Sequence, residues 1–63
     1  MTLQEKIYEI IDKKGRKQYS VARDCGYTAS YFNNMLRGRK IITAEDIPNI
    51  CNALGITANE LFD

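Results

Sequence analysis

Histidine is absent from this chain of 63 residues, which contains only two cysteines and one proline. The absence of histidine removes the commonest general base and every Ser-His or Cys-His nucleophile pair. The two cysteines, Cys25 and Cys51, do not form the C-x-x-C spacing of a structural zinc site, and the usual histidine ligands are missing. We therefore predict that the protein is not an enzyme and that it holds no metal and no other cofactor.

Both cysteines fall at positions where a helical pattern requires an apolar residue. Since a buried cysteine behaves as a small hydrophobic residue, we interpret them as two reduced thiols in the core of a cytosolic protein. A disulfide is the alternative, because a chain shorter than roughly 70–80 residues usually needs a disulfide, a metal or very regular helix packing.

Long hydrophobic runs are also absent, and no stretch of apolar residues exceeds two, as at Ile10–Ile11 and Ile41–Ile42. A membrane-spanning helix needs about 20 predominantly apolar residues. The N-terminus also lacks the basic start and apolar run of a signal peptide. We expect a cytoplasmic protein without a membrane partner.

Basic residues are missing from the last third of the chain. All nine lie within residues 1–40 together with four acidic residues, whereas residues 41–63 contain four acidic residues and no base. The formal net charge of +1 therefore hides a basic N-terminal part and an acidic C-terminal part. Such asymmetry indicates a basic face for a polyanion, although in a short chain it also arises by chance.

Apolar residues recur at helical spacing in five segments, which capping residues or glycines separate. The predicted helices cover residues 2–14, 18–25, 29–37 and 44–54, followed by a short fifth helix after Thr57. Pro48 is tolerated in the first turn of the fourth helix, although a start at Ala44 leaves one carbonyl unpaired. Three candidate capping boxes mark helix starts, namely Thr2 with Glu5, Thr43 with Asp46, and Thr57 with Glu60.

These patterns predict an all-α fold, a compact bundle of five short helices that forms one domain over residues 1–63. Helices 2 and 3 are joined by a short turn that contains Gly26, and Thr28 caps helix 3. This is the outline of a helix-turn-helix, here from Lys17 to Leu36, whose second helix can enter the major groove of DNA. Many small helical proteins contain a similar turn, so the outline alone leaves the function open.

Several residue types stand at fixed positions in and around this unit, namely Gln18, Val21-Ala22, Gly26, Thr28 and Gly38 with Arg39 and Lys40, followed by the segments 53–57 and 60–62. Together they resemble the Cro/lambda-repressor-like family of helix-turn-helix proteins, the phage-repressor type. The family often pairs an Arg late in helix 1 with a Glu near the end of helix 3, whereas Ile11 and Leu36 stand here. Joint replacement by apolar residues leaves no buried charge unpaired. Arg16 and Lys17 also depart from the family pattern, which predicts a helix 1–2 corner that is looser or more basic than usual.

The resemblance implies a sequence-specific DNA-binding transcriptional regulator of a phage or bacterium, a repressor or Cro-like protein. It would place helix 3 in the major groove of an operator and bind double-stranded DNA as a homodimer. Base contacts are expected from small polar residues and one alanine on helix 3, namely Thr28, Ala29, Ser30, Asn33 and Asn34. Contacts to the DNA backbone are expected from Lys17, Gln18, Tyr31, Arg37, Arg39 and Lys40. The alternative for these side chains is an ordinary solvated surface.

Two other interpretations stay open. The fold can serve as a protein-binding module, anti-repressor or antitoxin-like, with weak DNA binding, and the chain can be the DNA-binding part of a longer repressor. Apolar residues near the C-terminus exceed what a small core needs, and we expect a dimer contact among Ile41, Ile42, Ile56, Leu61 and Phe62. Of the tyrosines, Tyr8 and Tyr27 are predicted to flank the core, while Tyr19 and Tyr31 can stack on sugar or phosphate or pack at the edge. Lys13, Lys14 and Arg23 are predicted to be solvated.

Overall fold

The computed structural model describes residues 1–62, which form five helices and no strand. The helices are α1 (Leu3–Lys13), α2 (Gln18–Cys25), α3 (Ala29–Leu36), α4 (Asp46–Leu54) and α5 (Ala58–Phe62). This confirms the predicted all-α fold of five short helices. None of the helices in this range is long and apolar enough to cross a membrane. Asp63, one of the acids counted in the C-terminal part, lies outside the described residues.

The predicted capping box of α1 is formed in full. The Thr2 backbone N–H donates to Glu5 Oε1 at 2.9 Å, and the Glu5 N–H donates to Thr2 Oγ1 at 3.1 Å. The Thr2 backbone N–H, followed by the Thr2 side chain, holds the pKa of the Glu5 carboxyl below its ordinary value. The predicted C-terminal ends of α1 and α3 were each one residue too long, because Lys14 and Arg37 are C-caps.

The start of α4 differs from the prediction. The helix begins at Asp46 rather than near Ala44, because Pro48 has no N–H to donate to the Ala44 carbonyl. The Asp46 carboxylate accepts from both the N–H and the hydroxyl of Thr43, at 2.9 and 3.0 Å. The Thr43 hydroxyl is therefore a donor to the carboxylate and does not cap a backbone N–H. Pro48 becomes the third helical residue, where a missing N–H costs no intrahelical hydrogen bond.

All five helices contribute to one apolar core. Its residues are Ile7, Ile11, Val21, Ala22, Cys25, Phe32, Met35, Leu36, Ile50, Cys51, Leu54 and Leu61. Both cysteines are free thiols within it, as their helical positions predicted. Burial raises the pKa of Cys25 to about 11 and also raises that of Cys51, which keeps both thiols protonated near neutral pH. Ile11 and Leu36 are both buried where α1 packs on α3, in place of the charged pair of the family pattern.

Arg16 closes the corner between α1 and α2, so the corner is not looser at this residue, while Lys17 beside it is an exposed base. Its Nη2 donates to Asp24 Oδ2 at 2.6 Å and to Ser20 Oγ at 3.0 Å, and its Nη1 donates to the Ala53 carbonyl at 3.3 Å. The guanidinium thereby joins α2 to the end of α4. Its positive charge is balanced by Asp24 and adds nothing to a basic surface.

The core absorbs most of the apolar surplus near the C-terminus. Leu61 is buried, and Ile42 and Ile56 are half-buried against the core. Only Ile41, 85% exposed, and Phe62, 64% exposed, are left as apolar surface from the five expected residues. Tyr27 is half-buried as predicted.

Tyr8 does not flank the core in the way its position in the sequence indicated. Its side chain is exposed and lines a shallow groove between α1 and the end of α3. The apolar stripe of α1 is supplied by its isoleucines, of which Ile7 and Ile11 are buried, and this leaves the neighbouring Tyr8 outside.

Replacing Arg16 by Ala should lower the stability of the fold by about 1 kcal/mol, a value kept small because the ion pair is partly exposed. In a domain of this size such a loss lowers the thermal midpoint by roughly 4–8 °C. Circular dichroism melts would measure it. The matched control is Arg23→Ala, since Arg23 is exposed and lies 3.9 Å from the same Asp24. Equal midpoints for the two variants would contradict the bracing role of Arg16.

Candidate nucleic-acid interface

The turn between α2 and α3 is built by local bonds that the sequence predicted. Gly26 ends α2 in the left-handed conformation, with φ 83°, which a residue with a Cβ rarely adopts. The Tyr27 N–H then donates to the Ala22 carbonyl at 2.9 Å. Thr28 caps α3, since its Oγ1 accepts from the Tyr31 N–H at 3.0 Å. Helices α2 and α3 with this turn form the predicted helix-turn-helix.

Helix α4 braces the turn from behind. The Tyr27 hydroxyl donates to Asp46 Oδ1 at 2.5 Å, and the Asn49 amide donates to the Cys25 carbonyl at 2.8 Å. Burial, followed by the bond to Asp46, raises the pKa of Tyr27 to about 12. The same hydroxyl, followed by the Thr43 backbone N–H, holds the pKa of Asp46 below its ordinary value. Two side chains of α4 therefore fix the position of the turn.

A shallow cleft lies between the start of α2 and the outer face of α3. It is lined by Lys17, Gln18, Tyr19, Ala29, Ser30 and Asn33. Five of these six residues were predicted site residues from two separate helices, so the fold brings the two predicted sets together. Thr28, Ala29 and Ser30 are exposed at the start of α3.

The start of α2 is open, as expected for a phosphate contact. Lys17 is the N-cap in an extended conformation, and its side chain makes no capping hydrogen bond. The first backbone N–H groups of a helix lack intrahelical partners and lie at the positive end of its dipole. Lys17 is exposed beside them. The arrangement can bind an anion between a cation and free N–H groups.

The basic loop after α3 is held against that helix. The backbone N–H groups of Arg39 and Lys40 donate to the Asn34 carbonyl at 2.9 and 3.3 Å. The Lys40 ammonium lies 5.1 Å from the centre of the Tyr31 ring, within cation–π range. The Tyr31 ring packs in turn on that of Tyr27, with ring centres 5.2 Å apart. Lys40 and Tyr31 therefore lie together at one side of α3.

The two predicted asparagines differ in their surroundings, although both are half-buried. Asn33 Oδ1 accepts from Gln18 Nε2 at 3.4 Å and from Arg37 Nε at 3.2 Å. The Asn34 side chain has no hydrogen bond to any residue from 1 to 62, and only its backbone carbonyl is engaged. Asn33 therefore links the start of α2 to the end of α3.

The basic side chains differ in whether a carboxylate lies close to them. Lys6, Lys13, Arg16 and Arg23 lie 2.6–3.9 Å from a carboxylate oxygen. The bases that were predicted to contact DNA make no ion pair with any carboxylate of the described part of the chain, namely Lys17, Arg37, Arg39 and Lys40. Lys14, at the end of α1, is also unpaired there. The interface therefore offers uncompensated positive charge.

No three His, Cys, Asp or Glu side chains within residues 1–62 are grouped so that they could hold a metal ion.

Sequence reasoning left Tyr19 out of the predicted site, although it considered stacking by this ring. Tyr19 is 63% exposed and lines the cleft beside Lys17 and Gln18. Val21, Ala22 and Cys25 form the buried face of α2, so their spacing already predicted that Tyr19 points outwards. That outward position was the signal in the sequence that Tyr19 could line the cleft.

Comparison with known proteins agrees with this architecture. A family model described as a helix-turn-helix domain matches residues 12–61. A solved structure, the "Crystal structure of the clp gene regulator ClgR from C. glutamicum", superposes with a TM-score of 0.89. The match covers 95% of this chain and 78% of that chain at 23% sequence identity, which establishes similarity of fold. No curated protein sequence matches the chain.

Asp46→Asn tests the brace behind the turn. Because the pKa of Asp46 is lowered by folding, the unfolded chain binds the proton more tightly, and the stabilisation exists above the ordinary value of 3.8 and is lost as the pH falls below it. We expect the urea midpoint of the wild type to fall more than that of the variant between about pH 5 and about pH 2. Asp12→Asn, an exposed carboxylate on α1, is the control. The same acid dependence in wild type and Asp46→Asn would exclude this role.

Proposed function

This chain belongs to the helix-turn-helix domain family, and from that premise we propose that it is a sequence-specific DNA-binding transcription regulator. One observation carries the proposal: of the five bases that have no carboxylate partner within the described chain, four flank the exposed face of α3, which bears small side chains, and the fifth, Lys14, lies at the end of α1. Lys17 lines the cleft beside the start of α3, and Arg37, Arg39 and Lys40 follow the C-terminal end of α3. A helix with such flanks can enter the major groove while the bases contact the phosphates.

The outer face of α3 provides the base contacts in this proposal. Thr28 and Ser30 have hydroxyls that bond several bases, and Ala29 can contact a thymine methyl group. Asn34 has a free amide, which can bond adenine through two atoms. No Lys or Arg occurs on α3 itself. We therefore expect an operator in which guanine contacts contribute little and A·T pairs are read.

Backbone contacts supply most of the affinity. Lys17 and the open start of α2 would bind one phosphate, with Gln18 beside them. Arg37, Arg39 and Lys40 would bind the backbone beyond the other end of α3. Such contacts orient the protein and depend strongly on salt, because each one releases counterions from the DNA.

A homodimer on a palindromic operator is part of the proposal, since one small unit contacts only a half-site. The exposed Ile41 and Phe62 are the apolar side chains left for such a contact. We propose a repressor or Cro-like role in the cytoplasm of a bacterium or in a phage-infected cell, with residues 1–63 acting as one DNA-binding domain. The same two exposed side chains also favour the second candidate, a protein-binding module with weak DNA binding.

Fluorescence anisotropy with a pool of random duplex DNA at several salt concentrations tests the function. We expect the logarithm of the binding constant to fall linearly with that of the salt concentration, by about 0.9 for each neutralised phosphate. Selection of the bound fraction should enrich a palindrome. Absence of binding at low salt would refute the proposal and favour the protein-binding module.

Arg39→Ala should weaken binding to all sequences by a similar factor and reduce the salt slope by about 1, as expected for a phosphate contact. Lys13→Ala is the matched control, because Lys13 is paired with Glu9 on α1 at 3.5 Å. The control should keep the wild-type slope. A change of base preference in Arg39→Ala would argue against a contact restricted to the backbone.

A further inference from the structure

Two adjacent asparagines on α3 are chemically identical but are not equally available. The oxygen of the Asn33 side chain accepts two hydrogen bonds, one from Gln18 Nε2 at 3.4 Å and one from Arg37 Nε at 3.2 Å. The side chain of Asn34 is bonded to nothing among residues 1–62. Sequence reasoning gave both residues the same role of base contact.

Recognition of adenine by asparagine uses both ends of the amide. The oxygen accepts from the adenine amino group, and the nitrogen donates to N7 of the ring. An amide oxygen has two lone pairs, and both donors in the structure are directed at the oxygen of Asn33. Asn33 would have to break at least one of these bonds to read adenine, whereas Asn34 would break none.

We infer that Asn33 is a positioning residue that holds Gln18 and Arg37, and that Asn34 is the amide that reads the base. The inference rests on the proposed function and replaces the equal roles of the two asparagines. Asn33 lies one helical turn before Arg37 and faces the first residue of α2. Its single oxygen therefore orders two neighbouring side chains that are proposed to contact the DNA backbone.

The physical reason for such a device is conformational entropy. Glutamine and arginine side chains lose much rotamer freedom when they are fixed on a phosphate. A hydrogen bond that already restricts them in the free protein reduces the loss on binding. The arrangement also separates affinity from specificity. Asn33 influences the contacts of Gln18 and Arg37 to the DNA backbone, whereas the contact of Asn34 to the base is unchanged.

Asn33→Ala and Asn34→Ala, compared side by side, test the inference. The thermal midpoint of each variant, measured by circular dichroism, is first compared with that of the wild type. Each variant is then used in the selection and in the salt titrations. Asn33→Ala should weaken binding to all sequences alike by several-fold and lower the salt slope, while the selected sequence stays the same. Asn34→Ala should lose discrimination by about tenfold at one A·T position and keep the slope.

A double-mutant cycle adds a readout that loss of structure would not mimic. Arg37→Ala should cost less affinity in the Asn33→Ala background than in the wild type, because Arg37 is no longer held there. Its effect should be unchanged in the Asn34→Ala background. Asn33→Asp keeps the acceptor oxygens without the amide donor, so this variant should retain the base preference and the coupling to Arg37.

The outcomes separate the inference from the function. A selected sequence that changes at one base in Asn33→Ala or Asn33→Asp would overturn the inference alone, and so would equal effects of Arg37→Ala in every background. A wild-type protein that binds no DNA would overturn the proposed function, and the inference with it.

Discussion

The hydrogen bond from the Tyr27 hydroxyl to the Asp46 carboxylate, 2.5 Å long, is the contact on which the presentation of α3 depends. Tyr27 lies in the turn between α2 and α3, and Asp46 is the first residue of α4, so one bond joins the turn to the rest of the bundle. The Asn49 amide adds a second bond to the carbonyl at the end of α2. Because short helices have little stability of their own, such tertiary bonds, together with the core around Phe32, decide the angle at which α3 faces the solvent.

The second organising feature is the separation of paired from unpaired charge. Arg16 contributes to the basic count of the N-terminal part of the chain but is bonded to Asp24 and to α4, so it acts as a structural residue. The bases around α3 are free of carboxylates within the described chain, and their field is directed outwards. A net charge close to zero is therefore compatible with a strongly polarised surface, since the attraction between exposed charges decays within about 8 Å in physiological salt.

Polar residues show most clearly how a sequence pattern can mislead. Arg16 stands where the family prefers an apolar residue and was expected to loosen a corner that it in fact closes. Asn33 was grouped with Asn34 because the two are neighbours of the same type on one helix. A difference of about 100° in direction around the helix turns one towards Gln18 and the other towards the solvent side, and this gives them different partners.

The sequence by itself determined the number and order of the helices, the residues of the core and the turn at Gly26. These features follow from spacing and capping within a few residues, and the local bonds of Thr2 with Glu5 and of Thr28 with Tyr31 act over three positions. The partners of Arg16, Tyr27 and Asn33 were decided only by the tertiary structure. Each of these side chains bonds a residue 15 to 37 positions away, at Ala53, Asp46 or Gln18. A long polar side chain can reach many such partners, and only the packing of the helices selects one.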